Sequence, residues 1–187
     1  MRTLLLLLLC LLGLSSSAQE YYYNNQKTFE ENGYTYQCDV LKANRGPDIG
    51  WVTLYNKANR FTNVDQINVN TGRLISISEN YEEQIDDPNV SIPPRMEKII
   101  YDAFPTSLKQ EIINLNEPLS ISLYIDPTTG KIADVEFQFM TSDPFAKAPV
   151  SVFRKIEVDL KSQIQFNITA AGKKRNYVFL GWLQRFE

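Results

Sequence analysis

One hairpin in the second half of the chain constrains the fold more than any other feature. Residues 120–125 alternate along the strand direction, and residues 131–140 do the same, with Val135, Phe137 and Phe139 on one face. The DPTTG sequence between them supplies a proline and a glycine suited to a turn. Alternation on both sides of such a turn predicts two antiparallel strands, and therefore an antiparallel sheet.

Helical spacing precedes this hairpin. Met96, Ile99 and Ile100 recur at the three- and four-residue intervals of an amphipathic helix. The pair Phe104-Pro105 should interrupt that helix, because proline pushes the residue before it out of the helical region. Apolar residues at helical spacing then resume, which predicts a second short helix, at Leu108, Ile112 and Leu115.

The segment after the hairpin fits two patterns. Residues 149–168 carry an apolar helical face, yet residues 156–160 also alternate like a strand. We favour a helix to Gln163, followed by a short strand over residues 164–168. A last strand over residues 176–186 is apolar on both faces, which is typical of a strand covered on both sides.

The first half of the chain has the pattern of strands and turns. Residues 34–40 alternate, and residues 49–55 are rich in β-branched and aromatic side chains. Residues 64–69 and 73–78 bracket an Asn-Thr-Gly turn in which Gly72 can adopt a positive φ, so a second hairpin is predicted there. Its turn sequence resembles that of the first hairpin, which fits either a duplicated unit or two independent uses of one turn.

Three parts are expected along the chain. Residues 1–18 form a signal peptide, residues 19–92 a β-rich N-terminal portion, and residues 93–187 an α+β portion. The acidic, proline-bearing stretch at residues 80–93 predicts a linker or long loop between the two halves. We therefore predict an α+β fold with antiparallel sheet and two to three helices.

The signal peptide prediction rests on the order of its parts. Arg2 is followed by an apolar run over residues 4–14 and by small residues ending at Ala18. The run is shorter than the roughly 20 residues that a membrane-spanning helix needs. We expect cleavage after Ala18, a mature chain that begins at Gln19 and does not span the membrane, and export to the periplasm or cell surface of a Gram-negative bacterium.

Cysteine, histidine and charge exclude several classes of function. After cleavage Cys38 stands alone, so no intramolecular disulfide is possible, and we predict a free core thiol. The chain contains no histidine, the usual general base and metal ligand. The net charge of −3 gives no footprint for nucleic acid, and Lys173–Arg175 is read as a solvated turn. We expect a noncatalytic protein without cofactor and assign no catalytic, cofactor-binding or metal-binding residue.

Two resemblances accompany these patterns. The Phe104-Pro105 pair, the hairpin LYIDPTTGKIADV and the sequence of helix, hairpin, helix and strand over residues 94–187 resemble the C-terminal domain of TonB-type proteins. That resemblance implies a domain that pairs an exposed strand edge with a partner's extended segment. A TonB energy transducer keeps its N-terminal helix in the membrane and follows it with a long proline-rich spacer, whereas here we expect a cleaved signal followed by a chain whose nine prolines are scattered. The whole chain is also similar to uncharacterised small exported proteins of Bacteroidetes-type bacteria.

Three functions follow as hypotheses. The first is an envelope binding module that recognises a protein partner through a strand edge at residues 176–186 or through residues 21–23, with Arg185 and Glu187 protecting an open edge. The second is a glycan-binding domain that offers aromatic faces to sugar rings, for which two or more exposed coplanar aromatics are required. Its candidates are Trp51, Tyr55 and Trp182.

The third hypothesis is a carboxylate-based hydrolase. Glu82, Glu83, Asp86 and Asp87 supply acids, and paired carboxylates can hydrolyse glycosides without histidine. A solvated loop is the ordinary interpretation of these residues. A buried glutamate with a raised pKa in a cleft would be needed to favour catalysis.

Overall fold

The structure is a computed structural model that describes residues 22–42, 49–75, 84–86 and 92–187. Six strands and three α-helices make up its regular elements. The strands are β1 (Lys27–Glu31), β2 (Tyr34–Lys42), β3 (Gly50–Asn56), β4 (Leu119–Ile125), β5 (Ile132–Met140) and β6 (Val178–Gln184); the helices are α1 (Ile92–Ala103), α2 (Thr106–Leu115) and α3 (Val150–Gln163).

The strands form one antiparallel sheet in the order β1-β2-β3-β5-β4-β6. This arrangement confirms the predicted α+β class. The pairing of β3 with β5 places Val52 opposite Phe139 and Leu54 opposite Phe137, so the two predicted portions of the chain share a single sheet. The described part of the expected linker is also packed: Gln84 and Ile85 are buried, and the Gln84 carbonyl accepts a 3.0 Å hydrogen bond from the Thr169 N–H.

The predicted hairpin is present as β4 and β5, and its turn explains the sequence there. Asp126 Oδ1 accepts hydrogen bonds from the N–H groups of Thr128 and Thr129 at 2.8 and 2.9 Å. Gly130 has φ +71°, and a Cβ at this position would lie 2.0 Å from the Phe166 carbonyl oxygen. Both the backbone conformation and the close approach therefore require glycine.

The helices pack on one face of the sheet and bury the aromatic residues of β5. Phe153 of α3 stacks on Phe139 at a centroid distance of 5.3 Å and lies 5.1 Å from Phe137. The predicted break is confirmed, since α1 ends at Ala103 and α2 begins at Thr106, with Phe104 buried between them. Burial of these side chains supplies the main stabilisation of the fold.

Two of the predicted strand regions differ from the structure. Residues 164–168 form only single bridges, Lys131 with Gln165 and Ile85 with Ile168, because each meets an isolated turn or loop residue instead of a strand. Within the described residues, the hairpin expected around Gly72 has one bridge, between Ile67 and Leu74. Gly72 does adopt a positive φ of +69° there, and residues 76–78 of its second arm lie outside the described residues.

The last strand is not covered on both sides. β6 lies at the end of the described sheet, and one of its faces is solvated, with Leu183 62% exposed. Its other face packs on the core through Val178 and Gln184. The prediction of a strand covered on both sides is wrong. The sequence pattern shows which residues are apolar but not how many layers cover the strand.

Candidate functional site

The face of the sheet opposite the helices carries two acids and an exposed tryptophan among polar side chains. In the register across the central strands, Cys38, Leu54 and Phe137 share one row and point toward the helices. Alternate residues point the other way. We call this second surface the open face; its central side chains are Gln37, Asp39, Leu41, Trp51, Thr53, Tyr55, Ser120, Ser122, Glu136, Gln138 and Met140.

Asp39 is held in place on the open face by two neighbours. Gln37 Nε2 donates a hydrogen bond to Asp39 Oδ1 at 2.8 Å, and the Tyr55 hydroxyl donates to Asp39 Oδ2 at 3.0 Å. Burial together with the bond to Asp39 raises the pKa of Tyr55 to about 12. The phenol is therefore a hydrogen-bond donor at neutral pH, and the carboxylate has a fixed orientation.

Glu136 lies across from Tyr55 and is the buried acid of this surface. Only 7% of the residue is exposed, although no helix of the described chain covers it. Burial raises the pKa of Glu136, and the negative charge of Asp39 adds to the rise, whereas hydrogen bonds from Gln138 and Tyr124 oppose it. The Gln138 bond measures 2.8 Å from Nε2 to Oε1. A carboxyl held in this way is costly for folding, which is characteristic of functional sites.

A chain segment covers one end of the open face. The N–H groups of Arg60 and Phe61 both donate to Asp134 Oδ2 at 2.8 Å. The Phe61 ring lies 5.1 Å from that of Tyr177, whose hydroxyl donates to the Val64 carbonyl at 2.6 Å. We call residues 57–66 the wall, and these contacts hold it at Asp134, two residues along β5 from Glu136.

The opposite end of the open face is apolar and exposed. Trp51 is 43% exposed and Leu41, its cross-strand neighbour on β2, is 76% exposed. Met140 pairs with Trp51 on the other side. The exposed indole of Trp51 therefore lies on the same face as the fixed carboxylate of Asp39 and the amide of Gln37, a few strand positions away.

This arrangement can bind an uncharged polar ligand without metal chemistry. Carboxylates and amides can together donate and accept several hydrogen bonds, and an indole can pack against the apolar side of a ring. No group of three or more metal-ligating side chains is found in the described parts of the chain.

A second recess lies near the β2–β3 end of the sheet but is small. It has a volume of about 180 Å³ and is lined in part by Asn24, Asn25, Lys42 and Thr141. Pockets for small molecules usually measure about 300–1,000 Å³. The open face is therefore the better candidate.

The comparisons with known proteins identify the family. The family model described as "Domain of unknown function (DUF5043)" matches residues 19–182. The chain belongs to the DUF5043 family. It is similar to a DUF5043 family protein from Bacteroides uniformis, solved by crystallography at 1.85 Å, with 36% identity over 89% of this chain and 88% of the other, and a TM-score of 0.78. No curated protein matches significantly.

The family match supports the expected likeness to uncharacterised Bacteroidetes proteins, because that relative comes from a Bacteroides species. It gives no support to a relationship with the TonB C-terminal domain, although the DUF5043 chain does have the predicted order of helix, hairpin, helix and strand after residue 92.

The aromatic residues expected to bind glycans are divided between the two faces in this DUF5043 protein. Trp51 and Tyr55 both lie on the open face, two side-chain positions apart on β3. Trp182 pairs with Ile121 on the helix-covered face and is half-buried. Of the tyrosines at residues 21–23, Tyr23 is buried in the core and Tyr21 lies outside the described residues.

The other residues singled out in the sequence have ordinary positions. Cys38 is buried as predicted, and burial raises the pKa of its thiol to about 11. Lys173 and Lys174 are exposed in a short turn, as expected, whereas Arg175 is buried and donates to Gln66 Oε1 at 3.2 Å. The acids Glu82, Glu83 and Asp87 lie outside the described residues, and Asp86 is exposed.

A second buried acid, Glu157 of α3, has a structural explanation. It accepts hydrogen bonds from Tyr36 and Lys161, and the guanidinium of Arg154 lies 3.2 Å away. That guanidinium also stacks over the Tyr34 ring at 3.5 Å from its centroid. Glu157 is thus fully partnered and joins α3 to β2.

The sequence interpretation missed Asp39, Glu136 and Gln138. Their signal was present: polar residues occupy every second position at 134, 136 and 138 on β5 and at 37 and 39 on β2. That alternation was used only to find the core-facing residues. Glu136 meets two parts of the condition set for catalysis, because it is buried and its pKa is raised.

Proposed function

We propose that this DUF5043 protein is an exported, noncatalytic binding module of the bacterial envelope whose open face binds a saccharide. The observation that carries the proposal is the exposed indole of Trp51 beside oriented polar side chains on one uncovered sheet face. Asp39 is fixed by Gln37 and Tyr55, so part of the ordering cost of binding is already met in the free protein.

The chemistry of the face selects among ligand classes. Asp39 and Glu136 would repel phosphate or carboxylate ligands, whereas carboxylates accept hydrogen bonds well from sugar hydroxyls. The C–H face of a pyranose ring is apolar and suits an aromatic platform such as Trp51. A saccharide presents both features on one molecule.

The proposed location has separate support. Residues 1–18 have the order of parts of a signal peptide, and the family match starts at residue 19, where the mature chain is expected to begin. The described residues contain no helix that is long and apolar enough to cross a membrane. The placement on the periplasmic or outer side of the envelope is part of the proposal.

The test is binding of the mature chain, residues 19–187, to an array of α-glucans, β-glucans, pectins and mucin glycans. Trp51→Ala should weaken binding to the retained polysaccharide at least tenfold, or about 1.4 kcal/mol. Val158→Ala, which truncates an exposed side chain of α3 on the other side of the sheet, is the matched control and should bind like wild type. Retention of no polysaccharide, or equal binding by both variants, would contradict the proposal.

One alternative has an observation in its favour. Glu136 is a buried acid with a raised pKa on the same surface as Asp39, as a glycoside hydrolase would require. Measurement of new reducing ends after long incubation with the retained polysaccharide separates the two functions. Release of products that is abolished by Glu136→Gln would replace binding by hydrolysis.

A further inference from the structure

The two edges of the sheet differ sharply in charge. β1, at one edge, has the sequence KTFEE, in which three of five residues are charged. β6, at the other edge of the described sheet, has the sequence VFLGWLQ and carries no charge and no proline. Charged residues are the usual protection of an open strand edge. Arg185 and Glu187, which were expected to protect β6, both lie beyond its last residue.

The centre of β6 is a glycine that the chain itself does not require. Gly181 is the fourth of the seven residues of β6 and has no positive φ. A Cβ at this position would meet only Phe179 Cε1, at an ordinary contact distance of 3.9 Å. Glycine weakens a strand interior and often marks a place where another backbone approaches closely.

We propose that β6 pairs antiparallel with β6 of a second copy of this chain, with Gly181 opposite Gly181. This register is the one that pairs all seven residues. It places Phe179 opposite Leu183 and Leu180 opposite Trp182, in both directions, because a two-fold axis makes the interface self-complementary.

The second copy fits this edge better than a charged partner segment. No like charges are brought into opposition within the strand pair, since β6 has none. Leu183, the most exposed apolar residue of β6, comes to lie beside the half-buried Phe179 of the other copy. No other described strand lies beside β6 on its outer side, so the backbone groups there gain hydrogen-bond partners at the same time.

The pairing has a consequence that rests on the proposed function. A two-fold axis perpendicular to the sheet leaves both open faces on the same side, so two binding surfaces would face one polymer. Two linked sites bind a repetitive ligand more tightly than either alone. The pairing itself depends only on β6, so the proposed dimer does not require that the open face bind a saccharide.

Disulfide trapping tests the register. Residues directly opposite each other in antiparallel strands have Cα atoms about 4.5–5.5 Å apart, within the range that a disulfide spans. Gly181→Cys in the mature chain should give a covalent dimer under mild oxidation. Thr28→Cys, on the exposed edge strand β1, is the matched control and should remain monomeric on a denaturing gel. The native Cys38 is buried and should not contribute.

Sedimentation equilibrium provides a second readout that needs no introduced thiol. Leu183→Lys places a lysine at both ends of the pair and should weaken dimerisation about tenfold, whereas Thr28→Lys should leave it unchanged. A wild-type chain that stays monomeric up to near-millimolar concentration would overturn the proposal. Equal crosslinking at positions 181 and 28 would also overturn it, as would capture of another protein's extended segment by a monomer. Loss of saccharide binding with an intact dimer would overturn only the proposed function.

Discussion

The hydroxyl of Tyr55 lies 3.0 Å from Oδ2 of Asp39, and it belongs to a side chain directly opposite Glu136 in the neighbouring strand. Tyr55 therefore lies between the two acids of the open face and donates its hydrogen bond to one of them. The proton of the phenol stays in place at neutral pH because burial raises the pKa of Tyr55 to about 12. This relationship separates the acids by role: Asp39 is an oriented acceptor, and Glu136 is the acid whose ionisation is disfavoured.

Glu136→Gln should gain stability relative to wild type as the pH rises. The pKa of Glu136 is raised above its ordinary value of 4.5, chiefly by burial, so ionisation costs more in the folded state than in the unfolded one. This cost is absent below the unfolded pKa and complete once the pH exceeds the folded pKa. Urea unfolding from about pH 4 to pH 7 should show the stability of Glu136→Gln rising relative to wild type. A constant difference across that range would contradict the assignment.

Two glycines with nearly the same φ should respond differently to alanine. Gly130 and Gly72 have φ of +71° and +69°. An alanine Cβ at 130 would collide with the Phe166 carbonyl, whereas nothing lies within 4 Å at 72. Gly72→Ala should lower the free energy of unfolding by only the penalty for a left-handed conformation, about 1–2 kcal/mol. Gly130→Ala should cost about 3 kcal/mol or more, as for other strained core substitutions, when measured by urea unfolding. Equal costs would refute the close approach.

The aromatic core should depend on Phe153. This ring is fully buried and stacks on Phe139, so Phe153→Ala should lower the free energy of unfolding by about 3–5 kcal/mol. Val158→Ala on the same helix truncates an exposed side chain and should change the free energy of unfolding by about 0.5 kcal/mol or less. Thermal or urea unfolding monitored by circular dichroism distinguishes the two. Comparable losses would mean that α3 does not pack as described.

Cys38 should be inert in the native protein. Its thiol is buried and its pKa is raised to about 11 by burial, so little reactive thiolate forms at neutral pH. The mature chain contains this one cysteine, which makes thiol titration with a chromogenic disulfide simple to interpret. We expect no reaction under native conditions and one equivalent after denaturation. Rapid native reaction would show that β2 is accessible from the helix side.

Local sequence patterns predicted most of the fold but not its layering. The β4–β5 hairpin, the break at Phe104-Pro105 and the helix ending at Gln163 were predictable because alternation, proline and helical spacing act over a few residues. The pairing of β3 with β5 joins residues more than 80 positions apart, and local periodicity carries no information on such a contact. For the same reason, β6 was expected to be covered on both sides although it lies at an edge.

The candidate site was predictable in part. Trp51 and Tyr55 were proposed for sugar binding from their residue type, and they share the open face. Trp182 was grouped with them, yet it belongs to the opposite face, which is set by the pairing register of β6 with β4. Glu136 was missed because its neighbours Tyr55 and Ser122 lie on other strands, and neither adjoins it in sequence.

Nuclear magnetic resonance of the two indole N–H groups tests saccharide binding on the open face most directly. The mature chain contains two tryptophans, Trp51 on the open face and Trp182 on the helix-covered face, whose Nε1 lies 3.1 Å from Gln184 Oε1. Titration of the labelled chain with the polysaccharide retained on the array should shift the Trp51 indole signal in a saturable way and leave that of Trp182 in place. A shift confined to Trp182, or no shift with any polysaccharide of the array, would contradict saccharide binding by the open face.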